Sequence, residues 1–386
     1  MTKTKPHIEI YDTTLRDGEQ GHPGEFKLEE KFKMALEIDK LGVDVIEAGF
    51  PAVSKEELEL IKRLKGKTKA KLCAISTTRP EHVQLAIESG ADRITIFAPC
   101  SELQMIAMKT NPKEVIANSL SAIKMARKAG REVEFIAMDA ARANPRFLNG
   151  FAKQLQKAGI RRLTLSDTTG SLTHKQTVEM FRRMKKIVKI PLSAHAHNDF
   201  GDANALTVAA IEGGATQAHV TISGLGEKSG NASLEAVVMN LERKHGYQTK
   251  INKNILVPQI HKIANIGRFG IPKRSPVSGE LVHTYRAGLH MDDKTNAFRG
   301  FNPEEVGAKG TLVYGKGASG RVTAELAKKL GHNPSREEVS AFVKHLKRYG
   351  ERGYERPEAR VETLIKRAER MKQHKIQKAA QGHKKL

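Results

Sequence analysis

The chain has 386 residues, enough to bury the core of one large barrel or of two to three ordinary domains, and 39% apolar with 28% charged residues exclude a disordered polymer. No apolar run is long enough for a membrane-spanning helix, and the opening Met1-Thr-Lys-Thr-Lys-Pro6 lacks the apolar core of a signal peptide. The net charge of +23 admits nucleic acid, but the positives are spread along helix faces among glutamates, aromatics are 5% and Trp is absent, so the charge reads as a solvated surface.

From the N-terminus to about residue 245, short β-branched runs alternate with longer amphipathic segments. The strands are expected at 8–12, 44–49, 71–76, 93–98, 132–137, 161–166, 190–196 and 218–223. Helical periodicity fills the intervals, as from Leu28 to Leu41 and from Pro112 to Ala129. Gly42, Gly90, Gly130, Gly159 and Gly214 stand where left-handed helix caps would precede the next strand. Eight strand–helix units in series predict an α/β fold, a (β/α)8 TIM barrel over 1–245, with an open doubly wound sheet as the rival. Beyond it the pattern predicts a linker and first subdomain over 246–320 that reaches the active site, then a smaller helical subdomain with a basic tail over 321–386. Cys73 and Cys100 have no metal-ligand spacing and cannot form a disulfide framework. Such a chain is expected to be soluble and cytoplasmic.

Polar residues gather at the C-terminal ends of these strands, the face where barrel loops converge. Arg16 and Asp17 follow the first strand, Glu47 ends the second and Thr168 follows the sixth. His195 and His197 share one face of the seventh strand, because strand side chains alternate. With Asn231 past the eighth strand, Asp17, His195 and His197 make a mixed nitrogen–oxygen donor set suited to Mn, Mg, Co or Zn. Arg16 would neutralise a carboxylate or a developing oxyanion there, or form a salt bridge to Glu47. The Gly-rich turn Gly224–Asn231 either receives an anion on its amides or serves only as a tight turn. Gly315-Lys-Gly317-Ala-Ser-Gly320 and Gly310–Gly317 imitate nucleotide loops, but neither opens a strand–helix–strand unit, so both read as turns. His290, in the irregular segment, is an exposed loop histidine unless that segment folds over the barrel mouth.

These residues resemble the DRE-TIM metallolyase superfamily, in its Claisen-condensing branch of homocitrate, 2-isopropylmalate and citramalate synthases. The matching pieces are Asp12-Thr-Thr-Leu-Arg-Asp-Gly-Glu-Gln20, Leu41–Pro51, Asp167-Thr-Thr-Gly170, His195-Ala-His-Asn-Asp-Phe-Gly201, Gly224–Asn231, Ala287-Gly-Leu-His290 and Gly300–Gly307. The resemblance implies a catalytic barrel with helical subdomains, commonly a homodimer. It implies metal at Asp17, His195, His197 and Asn231, a 2-oxo acid held by Arg16, Gln20 and Thr168, and His290 in the base machinery. Acetyl-CoA would be the co-substrate, and the product a 2-hydroxy di- or tricarboxylic acid. The chain's length is similar to that of the short homocitrate synthases, which places a homocitrate-type acceptor slightly ahead of an isopropylmalate-type one. Three positions depart from the family pattern. Met138 stands where a Glu is usual, Gln104 where a substrate-contact His is usual, and Tyr285 where a His precedes the base. Asp139 does not easily replace that Glu, since a one-residue step reverses the side chain's direction. The alternatives these departures raise are a metal-dependent C–C lyase or aldolase, and a binding paralogue without catalysis.

Overall fold

Each β-branched run forms a strand: β1 Glu9–Asp12, β2 Val45–Gly49, β3 Lys71–Ser76, β4 Arg93–Pro99, β5 Glu132–Met138, β6 Arg162–Asp167, β7 Leu192–Ala196 and β8 Gln217–Val220. They pair in parallel in sequence order, and β1 closes on β8 with Glu9 opposite Gln217 and Asp12 opposite Val220. The closed ring decides for the TIM barrel over the open sheet. The computed structural model describes residues 6–285, 298–312, 319–349, 361–370 and 373.

The outer helices are α1 Leu28–Leu41, α2 Lys55–Leu64, α3 Pro80–Glu88, α4 Glu102–Ala107, α5 Pro112–Lys128, α6 Pro145–Ala158, α7 His174–Ile187, α8 Ala203–Gly213, α9 Leu234–Met239 and α10 Leu256–Gly267. Helix α6 illustrates the local logic. Asn144 caps its N-terminus by accepting from the Arg146 amide at 2.9 Å, and Pro145 occupies the first turn, where no amide partner is needed. Leu148, Phe151, Ala152 and Leu155 form the buried stripe at helical spacing. Gly159 ends the helix at φ 88°, a left-handed turn that a side chain would strain.

The chain divides into two compact units, Met1–Gly279 and Glu280–Leu386. Residues 246–279 pack within the first. There Gln259 of α10 donates to the Glu37 backbone oxygen of α1 at 3.0 Å, and Lys262 pairs with the Glu37 carboxylate at 2.9 Å. In the second unit a short parallel pair joins β9 Thr284–Tyr285 to β10 Thr311–Leu312. Helices α11 Gly320–Lys329 and α12 Arg336–Tyr349 share a core with a helical segment at 361–370, formed by Val322, Leu326, Phe342, Val361 and Ile365. The glycine-rich stretch at 313–318 and most of the basic tail lie outside the described residues.

Barrel interiors are usually filled by branched aliphatic side chains. This one is polar beneath the mouth. Tyr11 stacks on His219 at 3.9 Å between ring centres, and its hydroxyl donates to Glu47 at 2.9 Å. Glu134 accepts from Arg93 at 2.8 Å and Thr164 at 2.6 Å, and lies 3.0 Å from His219 Nε2. Burial opposes ionisation of Glu134, but His219 and Arg93 outweigh it and hold its carboxyl below the ordinary range. Burial, then the neighbouring Glu47, raises the Cys73 thiol to about 12, so it serves as packing.

Candidate active site

Arg16 and Asp17 do not extend β1. They sit in a π-helical turn, Thr14–Gly18, in which the amides of Asp17 and Gly18 both reach the Thr13 carbonyl, at 2.9 and 3.1 Å. This turn, a form concentrated at functional sites, presents both side chains to one cavity. Across the mouth His195 ends β7, and His197 joins Asn231 through an isolated antiparallel bridge. Two amides close the Gly224–Asn231 turn on itself: Gly230 donates to the Glu227 carbonyl at 2.8 Å and Asn231 to the Gly224 carbonyl at 3.0 Å. These bonds fix where the turn presents Asn231. A Cβ on Gly226 would collide with the Asn231 amide, and one on Gly21 with the Gly226 carbonyl, so glycine lets the first and last loops touch.

Asp17, His195 and His197 bring one ligand atom each to within 4.8 Å of one another. Asp17 Oδ2 lies 3.3 Å from His195 Nε2, which lies 3.3 Å from His197 Nε2. Donors about 2.1 Å from one ion and 90–109° apart are themselves about 3.0–3.4 Å apart, so the spacing fits a divalent metal. The polar accounting agrees: Asp17 Oδ2 and Asn231 Oδ1 are buried and accept no hydrogen bond. Burial is the largest influence on both imidazoles and pulls their pKa values below the ordinary histidine value, which leaves neutral lone pairs for a cation. The Asp17 carboxyl is held below its usual range; burial opposes this, but Arg16 and then the two histidines prevail.

Arg16 forms the salt bridge to Glu47 that the sequence allowed, and it faces the cavity. Its Nε donates to Glu47 at 2.8 Å, and Nη1 lies 3.2 Å from Asp17 Oδ1 and 3.4 Å from Gln20 Oε1. Arg16, Gln20 and Thr168 line the same cavity of about 230 Å³ as Asp17, His195 and His197. Thr168 Oγ1 accepts from the Asp139 amide at 3.0 Å, and its carbonyl accepts from Lys228 at 3.0 Å. His290 lies outside the described residues.

Met138 lines the cavity, whereas Asp139 turns away at φ 55° to bind Ser101 and Arg142, the latter at 2.7 Å. Asp139 thus points away from the cavity as expected, but because it lies past the end of β5 its left-handed backbone, not strand alternation, sets that direction. Gln104 is not among the lining residues; it lies in the first turn of the short helix α4, where its amide donates to the capping Ser101 hydroxyl. Sequence reading did not single out Ile75, Phe97 and Ile136, which complete an apolar wall with Met138. Their place near the C-terminal ends of β3, β4 and β5 was the available signal, but apolar strand residues read first as core.

The HMGL-like family profile matches residues 7–266. The chain belongs to the HMGL-like family. It is 34% identical over 351 residues to the (R)-citramalate synthase of Methanocaldococcus jannaschii, covering 90% of this chain and 72% of that protein. It is 33% identical over 367 residues to the 2-isopropylmalate synthase of the same organism, covering 93% and 71%. Among solved structures, the hydroxymethylglutaryl-CoA lyase of Pseudomonas aeruginosa superposes with a TM-score of 0.63 at 20% identity, over 70% of this chain and 96% of the lyase. That likeness concerns the fold, while the synthases share the sequence. No helix among the described residues of this HMGL-like chain is long and apolar enough to cross a membrane.

Proposed function

We propose that the chain condenses acetyl-CoA with a 2-oxo acid bearing a small apolar side chain, releasing CoA and a 2-hydroxy dicarboxylic acid. One observation carries the reading: an Asp–His–His donor set, an arginine and an apolar wall meet in one small cavity. A divalent ion held by Asp17, His195, His197 and Asn231 would polarise the acceptor's ketone and supply charge stabilisation as the new bond forms. Arg16, fixed by Glu47, receives the acceptor's carboxylate, and Gln20 and Thr168 offer polar groups beside it. The acceptor's side chain then points to Ile75, Phe97, Ile136 and Met138. In the overall reaction the acetyl methyl carbon loses a proton and bonds to the ketone carbon, and water cleaves the thioester.

The apolar wall reorders the acceptors suggested by chain length. A second carboxylate placed against it would lose its hydration without a partner, so an isopropylmalate- or citramalate-type acceptor is favoured over a homocitrate-type one. A homodimer, implied by family resemblance, belongs to the same proposal. The second reading is a C–C lyase, which the Met138 departure favours. CoA release measured with pyruvate, 2-oxoisovalerate and 2-oxoglutarate, with Mn, Mg, Co or Zn and with chelator, tests both. Release is expected with the first two acceptors and lost with chelator. Release with 2-oxoglutarate alone overturns the acceptor class. No release with any acceptor, together with cleavage of a hydroxyacyl-CoA, establishes the lyase instead.

A further inference from the structure

The positive charge is unevenly neutralised around the barrel. On the side of α1, α2 and α10 acids stand among the cations, with Glu29, Glu30, Glu37 and Asp39 in α1 and Glu56, Glu57 and Glu59 in α2. Arg63 pairs with Glu29 at 2.6 Å, Lys262 with Glu37 at 2.9 Å and Arg268 with Glu30 at 2.8 Å, while Lys55 and Lys62 are exposed without a carboxylate partner among the described residues but lie beside the acids of α2. Helices α5, α6 and α7 are different. Lys124, Arg127 and Lys128 of α5 and Lys153 and Lys157 of α6 are exposed, and none pairs with a carboxylate among the described residues. On α7 the same holds for Arg182, Arg183 and Lys186. The exposed acids of these helices are Glu114, in the first turn of α5, and Glu179 in α7; α6 has none.

Helix-end chemistry accounts for only part of this. Cations in a last turn complement the helix dipole, and Arg127 donates to the Ala158 carbonyl at 3.0 Å. The ammonium groups of Lys124, Lys128, Lys153, Lys157 and Lys186 form no such bond among the described residues. A groove of about 730 Å³ opens between α5 and α6, lined by Lys124, Arg127, Lys128 and Lys157. Unpaired like charges in one place repel, a cost that an extended anion would relieve. In a (β/α)8 barrel the helices run opposite to the strands, so their C-terminal halves lie at the end away from the catalytic mouth.

We propose that the C-terminal halves of α5, α6 and α7 form a docking face for the phosphodiester backbone of a nucleic-acid duplex. Three neighbouring helices about 10 Å apart span about 20 Å. Over that length a duplex presents on the order of a dozen phosphates, a better match for cations spread over three helices than a compact ligand. The aromatics of these helices, Phe147, Phe151 and Phe181, are wholly or partly buried, so there is no platform for base stacking. Binding is accordingly sequence-independent and salt-dependent, and leaves the catalytic mouth open.

The test is fluorescence anisotropy of labelled RNA and DNA duplexes of about 20 base pairs, in two unrelated sequences, with the full-length chain between about 50 and 200 mM salt. The variant K124Q/K128Q/K157Q is compared with K55Q/K62Q/K69Q, which removes equal charge from the α2 side. The first is expected to weaken binding at least tenfold and to lower the log–log salt slope by about 2–3, with CoA release unchanged. The second should change affinity less than about threefold, and both base sequences should bind alike. Equal weakening by the two variants, or no binding by the unaltered chain, overturns the proposal. Displacement of the duplex by micromolar inorganic tripolyphosphate also overturns it, in favour of a small polyanion.

Discussion

The barrel mouth and the interior just beneath it use the same residue types to opposite ends. In the interior, each oxygen of Glu134 has a partner, from Arg93 on one side and from Thr164 and His219 on the other. At the mouth, Asp17 Oδ2 and Asn231 Oδ1 are equally buried yet accept nothing. Closed accounting makes a network rigid, whereas open accounting leaves room for a ligand. Together with the clustering of Asp17 with His195 and His197, the difference is what marks Asp17 rather than Glu134 as the candidate ligand.

The largest expected effect tests the closed side. Glu134→Ala leaves Arg93 buried with fewer partners and should cost about 3–5 kcal/mol in denaturant unfolding, with metal binding unimpaired in the folded fraction. A variant as stable as the parent would show that the partners of Glu134 do not hold the interior together. His195→Ala inverts the pattern. It should abolish stoichiometric metal by elemental analysis and lower turnover by more than the roughly 100-fold seen when a residue supporting a metal ligand is lost. Its unfolding midpoint should match that of the metal-free parent; full metal occupancy with normal turnover would refute the site. Met138→Glu sharpens the boundary between the two regions. A carboxylate on the apolar wall should raise KM for a small apolar 2-oxo acid about tenfold, the equivalent of about 1.4 kcal/mol. A gain in condensation would instead indicate a restored base relay and overturn the apolar-acceptor reading.

The smallest effect lies outside both regions and sets a baseline. The Glu37 carboxyl falls from 4.5 to about 2; burial opposes this, but Lys40, Lys262 and Gln259 overcome it. A lowered folded value means its contribution is complete above pH 4.5 and disappears as pH falls through about 2. Because Lys40 and Lys262 are exposed, Glu37→Gln should cost about 1 kcal/mol or less at pH 7 and nothing near pH 2, measured by urea unfolding. A cost that persists at pH 2 would mean that Glu37 acts through packing alone.

The barrel was legible because its signals are local. Leu28–Leu41 forms a helix with the predicted bounds, and each β-branched run lies on its strand to within a few residues. The donor set was legible for a different reason: strand ends converge in this fold, so residues 17, 195, 197 and 231 meet although distant in sequence. The π-helical turn at Thr14–Gly18 was not readable, because nothing in Thr-Leu-Arg-Asp-Gly distinguishes five-residue from four-residue closure. Nor was the cavity wall. Phe97 and Ile136 have the composition of core residues, and only closure of the barrel shows which of them reach the mouth. The charge reading was incomplete for a related reason, since a sequence gives the sum of charges and not which cations find acids across neighbouring helices.

The contact at Gly21 and Gly226 also bears on the order of assembly. It joins the loop after the first strand to the loop after the last, beside the β1–β8 seam that closes the ring. Asp17 emerges early in synthesis, but its partners His195, His197 and Asn231 come almost a full barrel later. A partly made chain therefore holds one of the four candidate donors and has little affinity for metal. Metal uptake in a refolding experiment should report ring closure itself, the slow non-local step of such a topology.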